Sequence, residues 1–148
     1  MSMGEREAVT GFITTAIVLA LFLWRLSVQD AQGLFVGPEA LQTWARSVLV
    51  LVAWSIGIAI VVTIGFHIAY AVLTGEKTDD RRDERDRDIE RRALTWAWYL
   101  LSFGLLGVIV DLAFGASAFR AMNLVLALCV LSEFFKDGLK IWLYRRSV

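Results

Sequence analysis

Four apolar runs, each near or above the ~20 residues that cross a bilayer as a helix, decide most of what this chain can fold into. They occupy residues 11–28 (GFITTAIVLALFLWRLSV), 47–73 (SVLVLVAWSIGIAIVVTIGFHIAYAVL), 93–114 (ALTWAWYLLSFGLLGVIVDLAF) and 122–143 (MNLVLALCVLSEFFKDGLKIWL). Hydrocarbon offers no water to an open backbone group, so segments of this length must be helices. The expected fold class is all-α: a polytopic membrane protein, one domain over residues 1–148, with four transmembrane helices. Composition agrees. At 57% hydrophobic residues and a mean hydropathy of +0.60, the chain carries more apolar surface than a soluble domain of this size could bury.

Charge and composition exclude several function classes. Fifteen basic residues balance fifteen acidic ones, whereas nucleic-acid binding needs a surplus of Lys and Arg. The single cysteine, Cys129, allows neither an intramolecular disulfide nor a Cys-based metal centre. No Ser-His-Asp set, metal-ligand cluster or Gly-rich phosphate loop is present, so a non-enzyme without cofactor is expected. The segment before the first run places Arg6 between Glu5 and Glu7. It lacks the positive n-region of a signal peptide, and the first span is expected to be retained.

Orientation follows from basic residues near the span ends. The side holding both termini and the middle loop has ten of them; the other side has three, Arg25, Arg46 and Arg120. This bias predicts a multi-pass protein of the inner (cytoplasmic) membrane with cytoplasmic termini. Trp24 and Trp44 then mark the outer interface; Tyr70, Trp96, Trp98, Tyr99, Trp142 and Tyr144 mark the inner one. Between the first two runs lie Gly33, Gly37 and the only proline, Pro38. Either a short interfacial helix begins there or the second helix is long. Residues 115–119 are expected to form a tight turn, making the last two spans an antiparallel hairpin.

Residues 77–92 read KTDDRRDERDRDIERR. Asp83–Arg87, Asp88–Arg92 and Glu84–Arg87 fall at helical spacing, each pair adding a few tenths of a kcal/mol to an exposed helix. The third helix is therefore expected to extend into the cytoplasm, with Thr78 or Asp79 as its N-cap. Two readings of this overhang stand: a solvated stretch that sets orientation, or a docking face for a cytoplasmic partner or neighbouring subunit through Asp83, Glu84, Arg87 and Arg91. The stretch Asp83-Glu-Arg-Asp-x-x-Ile89-Glu-Arg-Arg-Ala93, opening a helix in a four-span chain that reaches Tyr-Arg-Arg near its end, resembles a loose group of small membrane proteins of bacteria and archaea. That resemblance covers the second half of the chain. It implies the architecture and carries over no functional residues.

Ionisable residues deep in a span cost ~2.5–3.5 kcal/mol on insertion scales and need a partner or a purpose. Glu133, Lys136, Asp137 and Lys140 lie at i, i+3, i+4 and i+7 of the fourth span. They make one stripe, in which Glu133 can pair with Lys136 and Asp137 with Lys140. The only histidine, His67, follows Ser55, Ala59 and Thr63 at four-residue spacing on a small, polar ridge of the second span. It is either a packed histidine with one hydrogen bond or part of a proton relay with Glu133 or Asp137. Asp111, near the outer end of the third span, has Arg120 or Arg25 as its candidate counter-ion.

Two functions remain on this reading. One is an accessory or regulatory membrane subunit whose charged stripe and overhang hold other subunits or a partner. The alternative is a small homo-oligomeric channel or transporter with a polar path around Glu133, Lys136, Asp137 and His67. In either case the partners are the bilayer and, because four helices barely enclose four charges, further copies of the chain.

Overall fold

The computed structural model describes residues 3–74 and 84–146. The expected N-cap at Thr78 or Asp79, and Asp83 with its pairing to Arg87, lie outside the described residues. Four helices make up the fold: α1 (Met3–Ala31), α2 (Ala40–Thr74), α3 (Glu84–Ala113) and α4 (Ala118–Arg146). No strand occurs among the described residues. All four are long and apolar enough to cross a membrane, and the chain is a multi-pass, all-α membrane protein. Each helix outruns its apolar stretch because the polar flanks continue the backbone ladder. α1 takes in Glu5-Arg6-Glu7 and α3 takes in Glu84 to Arg92. α2 has 35 residues, roughly 50 Å of helix at 1.5 Å per residue, so the alternative of one long second helix holds.

The helix ends have local causes. Gly33 adopts φ 71° and ends α1 in a Schellman cap: the Leu34 amide donates to Gln29 O at 3.1 Å, and the Gly33 amide to Asp30 O at 2.9 Å. Gly115 repeats the cap on α3 with φ 93°, through Ala116 to Asp111 O and Gly115 to Leu112 O. Ser117 then starts α4, its Oγ accepting the Arg120 amide at 3.2 Å. The turn therefore occupies residues 114–117, and α4 begins earlier than its apolar run.

α4 is the hub. It packs most extensively on α3, next on α1, and touches α2; α2 and α3 do not meet among the described residues. The helices run roughly in the order α3, α4, α1, α2, which leaves one side of α2 and α4 open. Without water to drive apolar faces together, membrane helices associate where small residues let backbones approach. Ala93 and Ala97 of α3 are buried, Gly104 faces Leu128 of α4, and Ser132 Oγ donates to Ala97 O at 2.9 Å.

The antiparallel order brings the start of α1, the end of α2, the start of α3 and the end of α4 to one end, the terminal end; the opposite one is the hairpin end. Trp44 is only 3% exposed and donates its indole N–H to Asn123 Oδ1 at 3.0 Å, with its ring against Phe119. A buried indole must satisfy its N–H, and Trp44 thereby ties α2 to α4.

Candidate functional site

The sequence-predicted polar residues of α2 and α4 converge on one cavity. It measures about 300 Å³ and lies toward the terminal end between α1, α2 and α4. α4 contributes Glu133, Lys136 and Asp137; α2 contributes Ala59, Thr63 and His67; α1 contributes Glu7, Thr10, Gly11, Thr14 and Thr15. The α1 contribution was not foreseen, although it had a signal. Glu7, Thr10, Gly11 and Thr14 sit at i, i+3, i+4 and i+7, the same stripe that marks α4.

Glu133 and Lys136 form an ion pair one helical turn apart. The Glu133 side chain is nevertheless 58% exposed on the open side between α2 and α4. Asp137 is the reverse case, 6% exposed and turned toward α1. A Cβ on Gly11 would collide with its carboxylate, so glycine is what lets α1 approach this acid.

Lys140 departs from the expected pairing with Asp137. Its long stem crosses the α3–α4 interface and sets Nζ 3.6 Å from Glu90 Oε1, while Asp137 points the other way over Gly11.

His67 lines the cavity without a direct hydrogen bond to Glu133 or Asp137. Its Nδ1 lies 2.8 Å from Thr63 O. A carbonyl only accepts, so Nδ1 carries the proton and a neutral ring keeps its lone pair on Nε2.

A second polar cluster closes the terminal end. Tyr144 Oη donates to Asp86 Oδ1 at 2.9 Å, both residues buried, and Arg85 Nη2 donates to Tyr144 O at 3.3 Å. Arg6 is buried, with its guanidinium 4.5 Å from the Tyr70 ring centroid, a cation–π contact. Thr10 Oγ1 donates to Arg6 O at 2.6 Å. Tyr144 therefore belongs to an interhelical contact.

At the hairpin end Arg120 Nε lies 3.0 Å from Asp111 Oδ2. The approach lacks a hydrogen-bonding angle, since Oδ2 has no hydrogen-bond partner, so the pair is held by charge. On the proposed docking face Glu84, Arg87 and Arg91 are exposed. They line a shallow groove of about 780 Å³ beside Leu143 of α4. The Asp88–Arg92 pair forms as expected, at 2.8 Å. Among the described residues no group of three His, Cys, Asp or Glu could hold a metal ion.

The cavity can thus offer a mixed set of charges and hydroxyls to one half of the membrane thickness. Its lining stops at Thr15, Ala59 and Glu133. Beyond it, toward the hairpin end, come Phe35, Trp44 and Phe119 in ring contact. Compared with protein-family models, with curated proteins and with solved structures, the chain finds no match in any of the three.

Proposed function

We propose that this protein is a non-enzymatic accessory or regulatory subunit of the inner membrane that works by lateral assembly. The observation that carries the reading is the position of Glu133. It stands at the midpoint of α4, roughly 20 Å of helix from Arg146, with an exposed side chain on the open flank. A carboxylate facing acyl chains there is costly, and Lys136 compensates it only from one side. A further membrane segment against this flank, a second copy of the chain first among the choices, removes the cost. The exposed Glu84, Arg87 and Arg91 of α3 offer a further contact surface beyond the bilayer, with the termini on the cytoplasmic side as the basic-residue bias predicts. Glu133→Leu tests the reading in detergent or nanodiscs. Loss of the oligomer with the helix content kept is the expected outcome; an oligomer as stable as the parent's would overturn it.

One observation favours the alternative of a small homo-oligomeric channel or transporter: the cavity joins His67, Asp137 and the α1 threonines in a space large enough for several water molecules. On that reading liposomes conduct protons or cations, and His67→Ala abolishes the flux. Absence of flux from pH 5 to 8 would remove this alternative.

A further inference from the structure

Three carboxylates, Glu7, Glu133 and Asp137, line the cavity beside one lysine, Lys136. Lys136 is paired with Glu133 and Lys140 with Glu90. Asp137 makes no ion pair within 4.0 Å and no hydrogen bond among the described residues, although it is 94% buried. Its carboxylate lines the cavity, and the absent side chain of Gly11 lets α1 pack directly against it. Buried carboxylates normally have a cation or several donors; here the cavity also holds threonines, Glu7, a carbonyl-bound histidine and the Glu133–Lys136 pair.

From these facts we infer that the cavity is a binding site for one alkali cation, with Asp137 as its anionic ligand. Single charge fits because Asp137 supplies one carboxylate without an ion pair, while Glu133 is already paired with Lys136. Oxygen chemistry fits because Thr10 and Thr14 hydroxyls, each with acceptor lone pairs, stand on the same stripe of α1 as Gly11. Thr10 keeps those lone pairs even while its proton is given to Arg6 O. The cations of Lys136 and Lys140 stay outside pairing distance of Asp137 and set a threshold: the site takes an ion that can shed water and enter, not a third side chain. This inference goes beyond lateral assembly and holds for the monomer and for the oligomer alike.

The test uses the full chain in nanodiscs, with LiCl, NaCl or KCl exchanged against N-methyl-D-glucamine chloride at constant ionic strength. At least one alkali ion is expected to raise Tm saturably, as a one-site ligand does. Asp137→Asn, which keeps the shape and removes the charge, is expected to abolish the ion-specific rise. Equal Tm in every salt, or a rise that survives Asp137→Asn, would overturn the site. Should the variant fail to fold, equilibrium binding of radioactive Na⁺ or Rb⁺ to the parent chain decides: about one competable ion per chain supports the site, and no binding overturns it.

Discussion

At Gly4 a missing side chain leaves room for a hydroxyl. A Cβ there would collide with Tyr144 Oη, the group that donates to Asp86 across the α3–α4 interface. Gly4→Ala alone is expected to cost about 1–3 kcal/mol by overpacking, and Tyr144→Phe about 1–2 kcal/mol by removing a buried hydrogen bond. Together they should cost less than their sum, because the phenylalanine frees the space that the alanine needs. A double-mutant cycle from unfolding in mixed detergent and SDS checks this; strict additivity would mean that Gly4 and Tyr144 do not constrain each other. The sequence revealed residues whose partners lie on their own helix. The Glu133–Lys136 and Asp88–Arg92 pairs follow from spacing alone. Lys140, Asp86 and Tyr144 did not, because each answers to another helix and spacing holds no information about which helix comes near. The mistaken Asp137–Lys140 pairing has that origin.

Among the elements, α2 is the least attached. It leans on α1, touches α4 and misses α3 among the described residues. Near its start the Trp44–Asn123 hydrogen bond is a specific tie to α4. Trp44→Phe keeps the ring and removes the N–H, and is expected to cost about 0.5–2 kcal/mol, the range of interhelical hydrogen bonds in membranes. Trp54→Phe is the control, since Trp54 is 65% exposed and should unfold like the parent. If both variants unfold alike, the Trp44 tie contributes nothing. Helices were legible from run length, whereas the start of α4 at Ala118 was not, because Ser117 at its cap and Arg120 in its first turn carry no apolar signal. Helix neighbours were not, because an apolar residue suits lipid and protein contact equally well and periodicity has little to report inside a bilayer.

For the whole molecule, the antiparallel order makes one topological claim. Reporter fusions after Arg146 and within residues 75–83 should share one side of the membrane, and a fusion within residues 32–39 should report the other. The ten-to-three bias in basic residues expects the first side to be cytoplasmic. Opposite readings from the Arg146 and 75–83 fusions would break the four-span order itself. The hub position of α4 bears on how the protein is made. Translation delivers α4 after the other three helices, so until it enters the membrane α1 has only α2 and a slight contact with α3 to rest on. During that interval Asp86 lacks Tyr144 and Glu90 lacks Lys140. A chain stalled or cut before Ala118 therefore lacks these two ties and holds its helices loosely. Such a fragment is expected to be degraded quickly in pulse-chase experiments, and to be rescued when residues 114–148 are supplied as a separate polypeptide.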